Sequence, residues 1–509
     1  MNQSSVKSVS SHREILRSSS IIGGSSFLNI LVSLVRTKVL AVLLGPSGVG
    51  QVGLLLTLMT TISSVAAMGL GTAGTRQLAE AAGGNDADKL TTVRRALFWA
   101  TLILSMFGAV ATWLLREFLA ETVLTNKGLA NEIGWLSLGV ALTVAAGSQG
   151  AILNGVRRIE DMARLSILSG LMSTVLGLSS LWLWGVNGLI VFILAAPVSS
   201  FVIGYYFVLR LPKTDSIVPQ LPVIIDQLRT LFRLGAAFML TGLIWNVGHL
   251  IIRTLVQREL GASELGHFQA AWAISMTYMG FVLQAMGADY YPRLSSSMHD
   301  HLAAKTMVNE QTEVALLMAG PVVFAMLGLA PWIVGLLYTS EFAEAVSILR
   351  WQILGDILRV AAWPLSYVIL ASGDGRKYLI MESFAVFILV GGIWLGLPSL
   401  RLASTGIAFL LMYCAYLPFV YFLAKIQIGL KWSSRIFWLL SLLMVVGVMI
   451  ISIAYIDARF GALFGLVASF LFGFYALARL SHVANLTGPV ARLAIGYSRF
   501  FTINGWRRG

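Results

Sequence analysis

Apolar stretches of about 20 residues, parted by short clusters of Gly, Pro or charge, recur along almost the whole chain. They begin near Ile21, Val49, Ala96, Ile133, Leu165, Leu189, Leu234 and Glu264, and then near Val314, Ile348, Leu379, Ser404, Ile436 and Phe460. A helix of about 20 residues rises roughly 30 Å, the thickness of a bilayer's hydrocarbon. The pattern therefore predicts an all-α polytopic membrane protein with about 14 transmembrane helices. Composition removes the soluble alternative: of 509 residues, 57% are hydrophobic and 12% are charged, about half the ~25% charged fraction of a soluble domain. The first apolar run follows a polar stretch to Ser20, is interrupted by Arg36 and lacks a small-residue cleavage site, so it is expected to be retained as a span. The single cysteine, Cys414, lies inside an apolar run, which rules out an intramolecular disulfide or a cysteine metal cluster.

The net charge of +13 takes its meaning from where the cations fall. With the N-terminus in the cytoplasm, 26 of the 36 Lys and Arg lie in cytoplasmic segments. The outer loops hold five (Arg116, Lys127, Arg258, Arg401, Arg459), and five more lie within spans. Lys and Arg counts in loops set orientation, so the excess reports topology and contact with anionic lipid rather than nucleic acid. Trp182, Trp184, Tyr205, Tyr206, Trp332 and Tyr338 fall where helices should leave the hydrocarbon and are expected to be interfacial anchors. The domain plan that follows is a cytoplasmic tail (1–18), an N-terminal lobe of spans one to six (19–209), a cytoplasmic linker (210–233), a C-terminal lobe of spans seven to twelve (234–424), an extra helix pair (434–480) and a basic cytoplasmic tail (481–509).

The two lobes repeat one another. Asn29 and Arg36 in span one are seven residues apart and lead to Gly45-Pro46-Ser47-Gly48-Val49-Gly50. Asn246 and Arg253 in span seven are also seven apart and lead to Gly261-Ala262-Ser263-Glu264-Leu265-Gly266. Ala67-Met68-Gly69 answers Ala285-Met286-Gly287, and an Ile-Leu pair followed by a basic pair ends spans four and ten (Arg157-Arg158, Arg376-Lys377). Six helices separate the copies, and an even number makes them parallel repeats about an axis along the membrane normal. Such halves can rock about a site at their interface and expose it to one side at a time. Spans thirteen and fourteen stand outside the repeat, either packed on one lobe and lining a lipid groove or peripheral.

Seven residues make two helical turns, so Asn29 and Arg36 share a face, as do Asn246 and Arg253 with His249 between them. A charge in hydrocarbon costs at least about 2.5 kcal/mol and usually faces a cavity or a partner. Arg36 and Arg253 therefore read either as cavity residues or as cations held by carbonyls or snorkelling to the interface. Lys38 adds a cation turned away from Arg36, and Arg350, near a helix end, reads as a rim or snorkelling cation. Gln352, Asp356 and Arg359 follow one another on one face of span ten. Asp356 and Arg359 form either a neutralised pair or a proton- or cation-coupling element, and His249 either an interhelical hydrogen bond or a titratable switch. The excess of buried cations suits an anion, and Arg in particular suits phosphate oxygens.

No catalytic constellation is visible: paired carboxylates, metal-ligand spacing, a nucleotide-cradling glycine loop and a large outer loop are all missing from the sequence. No cofactor is expected, so energy must come from a proton or sodium gradient or from the substrate. A multidrug or cation antiporter would need more mid-membrane carboxylates than Asp356. A membrane glycosyltransferase or ligase would need acidic catalytic residues. A structural scaffold would leave the buried Arg residues as an uncompensated cost.

Arg36-Thr37-Lys38-Val39-Leu40-Ala41 running into Gly45-Pro46-Ser47-Gly48-Val49-Gly50 resembles the polysaccharide transporter (O-antigen translocase) family of the multidrug/oligosaccharidyl-lipid/polysaccharide exporter superfamily. Trp351-Gln352, Gly355-Asp356, Leu358-Arg359-Val360 and Tyr291-Pro292-Arg293-Leu294-Ser295 carry the same resemblance, which spans about the first twelve helices. It implies a flippase in the bacterial inner membrane that carries undecaprenyl-pyrophosphate-linked glycan to the outer leaflet, with a polysaccharide polymerase and a chain-length regulator as candidate protein partners. Fourteen rather than twelve helices is similar to the lipid II flippase branch. On this reading Arg36, Arg253, Lys38 and Arg359 are expected to hold the diphosphate, Asn29, Asn246 and Gln352 to meet sugars, and Asp356 and His249 to be the ion-coupling candidates.

Overall fold

The computed structural model describes residues 3–84, 86–211 and 220–483. Among them every regular element is a helix. Ten stretches are long and apolar enough to cross a membrane. Two of these, Gly24–Ala67 and Ile159–Leu209, each hold two of the expected spans, and the helices Leu221–Leu260 and Ala262–Ser297 supply spans seven and eight. The fourteen-span reading is thereby accounted for. The expected basic tail lies outside the described residues beyond Val483.

Helices α1 to α8 are Gln3–Ala67, Leu70–Gly83, Ala87–Leu114, Arg116–Thr122, Ala130–Gly155, Ile159–Trp184, Leu189–Leu209 and Leu221–Leu260. Helix α1 carries spans one and two, which part at Gly45 (φ 61°, ψ −170°), a backbone region open to glycine, and the next residue, Pro46, has no N–H to continue the ladder. The matching residue of the second copy, Gly261 (φ 96°, ψ 176°), ends α8. Thus the two glycine-led runs of the repeat make the same break in the same place.

The chain divides into two compact units, Met1–Gly266 and His267–Gly509. In the first, α5 packs on α3 and α7, α6 on α7, and the two halves of α1 on α5 and α6. Leu97, Ala100, Val140 and Ile193 are fully buried between them, while Phe98, Ile103 and Phe107 on the other face of α3 are exposed, as lipid contact requires. Helix α8 lies along span two and also touches α2 and α3. Gly69 (φ 66°) and Gly235 meet so closely that a Cβ on either would overlap the other segment's backbone carbonyl. At the opposite end of α8, the turn at Gly45–Gly50 meets the turn at Gly261–Gly266 in the same way: a Cβ on Gly266 would overlap the Pro46 carbonyl, and one on Gly50 would lie 2.8 Å from the Gly266 nitrogen. Span seven, assigned to the C-terminal lobe by the repeat, is thus packed within the first unit.

The second unit contains α9 (Ala262–Ser297) from His267 onward, α10 (His301–Leu337), α11 (Ala345–Ala371), α12 (Gly375–Leu400), α13 (Ala403–Ile428), α14 (Ser434–Ile456) and α15 (Ala458–Val483). Helix α11 is the central one, buried over most of its length and packed on α10, α13 and α14. Spans thirteen and fourteen belong to this unit. Helix α15 rests on α10 where Gly328 and Gly465 bring the backbones together, Ser469 Oγ donates to the Pro321 carbonyl (2.7 Å), and Glu313 accepts from Arg479 (2.8 Å) and pairs with Arg435 (3.6 Å). A Cβ at Gly465 would sit 2.9 Å from the Gly328 Cα and from the Phe324 carbonyl oxygen, both backbone atoms that no rotamer change can move. Gly465→Val is expected to cost about 1–3 kcal/mol by overpacking, read as a lower unfolding temperature of the detergent-purified protein with spans one to twelve otherwise intact.

Five of the six expected anchor rings are exposed, Trp182 most of all at 77%. Tyr338 is a correction. It is 2% exposed because the chain turns at the end of α10, and its ring packs against Phe342, tilted by 41° with centroids 4.8 Å apart, instead of facing the interface. Arg350 also differs from the rim position expected of it, being 5% exposed near the start of α11 with its guanidinium 5.6 Å from the Tyr455 ring.

Candidate substrate-binding site

In the first unit, the polar face of span one points to α6 and α7. Asn29 Nδ2 donates to Ser166 Oγ (2.7 Å), and Gly170 makes room for the amide: a Cβ there would come 2.7 Å from Asn29 Oδ1. Two turns on, the Arg36 guanidinium lies over the Phe192 ring, 4.5 Å from its centroid. Among the described residues no carboxylate lies within ion-pair distance of Arg36. A cation over an aromatic ring gains about 0.5–2 kcal/mol, less than the roughly 2.5–3.5 kcal/mol that an Arg costs at the centre of a membrane helix. The shortfall is what water or an anion would make up. Lys38, two residues further, is half-buried on another face of the helix.

The second copy of the motif is held differently. Asn246 Nδ2 donates to Ser64 Oγ (2.8 Å), and its backbone carbonyl accepts from Thr61 Oγ1 (3.2 Å), so this residue ties α8 to span two. Arg253 is 6% exposed, and its Nη1 donates over 3.5 Å to the His249 carbonyl one turn back. The His249 ring meets Trp245 edge to face with centroids 5.5 Å apart. The structure therefore brings Asn29 and Arg36 to one pair of helices and Asn246 to another segment of the same unit.

In the second unit, Asp356 is completely buried. Its Oδ2 accepts from Ser275 Oγ (2.8 Å) and Tyr278 OH (2.7 Å), and its Oδ1 is 3.3 Å from Arg359 Nη1. The i, i+3 spacing on α11 thus makes an ion pair, and Ser275 and Tyr278 on α9 complete the carboxylate's hydrogen bonds, as a buried charge requires. Gln352, a turn earlier, is also fully buried, and neither its amide nitrogen nor its oxygen has a hydrogen-bond partner. Such an arrangement can neutralise the charge and fix the helices, with both carboxylate oxygens engaged.

Span two carries an uncharged polar surface as well. Thr60-Thr61-Ile62-Ser63-Ser64 puts four hydroxyls in five residues, a signal open to inspection that carries no charge to draw attention.

A sequence model of the polysaccharide biosynthesis protein family matches residues 39–347. The chain belongs to this family. Its long apolar helices make it a multi-pass membrane protein, and the relatives and solved structures it resembles are named as flippases and transporters. The chain is 22% identical over 430 residues to the lipid III flippase of Escherichia coli (strain K12), an alignment covering 81% of this chain and 97% of that protein. It is 24% identical over 324 residues to the succinoglycan biosynthesis transport protein ExoT of Rhizobium meliloti (strain 1021), covering 63% and 61% of the two chains. In fold it resembles the lipid II flippase MurJ in an inward closed conformation, with a TM-score of 0.70, 13% identity and coverage of 91% of this chain and 99% of that one. Family membership and fold thus agree with the all-α, multi-pass architecture read from the sequence.

Proposed function

We propose that this polysaccharide transporter flips undecaprenyl-pyrophosphate-linked oligosaccharide, an O-antigen or similar surface-polysaccharide repeat unit, from the cytoplasmic to the outer leaflet of the bacterial inner membrane by alternating access. The observation that carries the reading is Arg36, a guanidinium within an apolar span, set over Phe192 without a carboxylate partner among the described residues. A pyrophosphate cannot cross hydrocarbon unaided, and a fixed guanidinium offers it two parallel charge-assisted hydrogen bonds. Arg253 and Lys38 of the first unit and Arg359 of the second are the further candidates for the phosphate, and Asn29, Asn246 and Gln352 are the candidates for the sugars. The polyprenyl chain stays in lipid. A family relative that is a lipid III flippase, aligned over 97% of its length, supports a lipid-linked substrate. The cytoplasmic placement of both termini rests on the bias of Lys and Arg among the loops.

Coupling to a proton or sodium gradient is left to His249 more than to Asp356, whose oxygens are already engaged by Ser275, Tyr278 and Arg359. Arg36→Ala is expected to lower transport of the lipid-linked glycan at least tenfold, about 1.4 kcal/mol or more, with the protein present in the membrane at its usual level. Arg36→Lys should recover part of the activity, because an ammonium keeps the charge but not the bidentate geometry. The measurement is leaflet accessibility of the glycan in proteoliposomes, and normal transport by Arg36→Ala would end the proposal.

A further inference from the structure

Span two, the start of α2 and the middle of α5 line an open-sided cavity of about 280 Å³ in the first unit. It is close to the roughly 300 Å³ at which small-molecule pockets begin, and several times the ~30 Å³ share of one water. No charged residue lines it. Its polar wall is made of hydroxyls, those of Thr60, Ser63, Ser64, Thr143 and Ser148.

Their hydrogen bonds leave a mixed set of donors and acceptors facing the space. The Thr60 and Thr143 hydroxyls donate to backbone carbonyls one turn back (3.0 and 2.7 Å), which leaves their oxygens as acceptors. Ser64 Oγ accepts from Asn246 and keeps its own proton to give, and Ser148 Oγ is bonded to Thr101 Oγ1 (2.6 Å). Ser63 is only 4% exposed, yet its Oγ has no hydrogen-bond partner at all. The Oγ itself is shut off from solvent, so it stands behind the wall, and a rotation that brings it to a bound ligand would relieve the roughly 1–3 kcal/mol that such a hydroxyl costs. Gly147, in the same wall, has no atom within 4 Å of where a Cβ would stand, so the space continues over it.

We propose that this cavity is a subsite for one uncharged sugar ring. The hydroxyls of a neutral pyranose each both donate and accept, which matches a wall of hydroxyls in both roles, and Leu70 and Val144 supply an apolar flank for the ring's C–H face. A hexuronate would bring a carboxylate to a wall with no cation, at a desolvation cost that hydroxyls alone offset poorly. The inference rests on the glycan-transport reading above and names which sugars that substrate carries at this position: the cavity selects neutral residues, and Arg36 and its companions handle the phosphate.

The test uses the full-length protein in detergent and saturation-transfer difference NMR with a panel of uncharged methyl hexopyranosides and with sodium glucuronate. At least one neutral glycoside should receive saturation and glucuronate should not. The signal should fall severalfold in Ser63→Ala and vanish in Gly147→Leu, which fills the cavity from a position where the structure has open space for a side chain. A third variant, Arg36→Ala, should keep the wild-type sugar signal while losing transport, so failure of the phosphate reading and failure of the sugar subsite are told apart. The proposal is overturned if the whole neutral panel is silent, if glucuronate is bound as well as the neutral sugars, or if Gly147→Leu leaves the signal unchanged, in which case the cavity holds water only.

Discussion

Asp356→Ala should leave little folded protein. The carboxylate is fully buried and gathers Ser275, Tyr278 and Arg359 from two helices of the second unit. Removing it strands the Arg359 guanidinium, whose side chain is 23% exposed, and takes the acceptor from two hydroxyls. Breaking a buried ion pair from one side costs about 3–5 kcal/mol, a large part of the ~5–15 kcal/mol that holds a typical domain. Replacing both partners with apolar residues of similar size is often near neutral. The combination Asp356→Leu with Arg359→Met is therefore expected to recover much of the stability lost by Asp356→Ala, while Asp356→Asn falls between them. Thermal unfolding followed by size-exclusion chromatography would order the three. An Asp356→Ala protein as stable as the parent would show that the pair is not structural and would favour Asp356 as a coupling group.

The contrast between what could be read from the chain and what could not has a physical basis. Apolar length alone marks the spans, because a bilayer demands about 20 residues whatever surrounds them. The repeat was legible because both copies need the same backbone break, and Gly45 and Gly261 supply it at positive φ. The partners of the polar residues were not legible. Asp356 is 81 residues from Ser275 and 78 from Tyr278, and nothing along an apolar helix says which neighbour will meet which face. In a soluble helix the polar side marks solvent, but here lipid-facing Phe98 and core-facing Leu97 are adjacent and alike in polarity. Phe192 beneath Arg36 was hidden for the same reason. Tyr338 looked like an interfacial ring from its place at a helix end, and only the turn that folds it onto Phe342 explains its burial. The hydroxyls of span two were visible but uninterpretable, since Ser and Thr inside a helix can satisfy themselves on the preceding turn. What distinguishes Ser63 is that it does not.

Gly266→Ala is expected to open the seam between the two glycine-led turns. On helix propensity alone the substitution would be favourable, by roughly 0.5–1 kcal/mol, because Gly266 lies within α9. The added Cβ, however, would overlap the Pro46 carbonyl oxygen and come 2.9 Å from the Pro46 Cα. Backbone cannot step aside as a side chain can, so the turns must separate, at an overpacking cost of about 1–3 kcal/mol. That energy favours whatever arrangement parts the turns by a factor from about five to more than a hundred. Val49, 4% exposed in the first turn, reports the change. In a Cys414→Ser background, Val49→Cys should react with a membrane-impermeant maleimide about tenfold faster when Gly266→Ala is present. Gly242→Ala, on α8 where a Cβ meets nothing within 4 Å, should leave the rate as it was. Equal rates in the Gly266→Ala and Gly242→Ala proteins would mean that the turns yield without parting. A selective increase would mean that the seam is held by the two missing Cβ atoms, and under the alternating-access proposal the same variant should transport more slowly because one of its closed states is disfavoured.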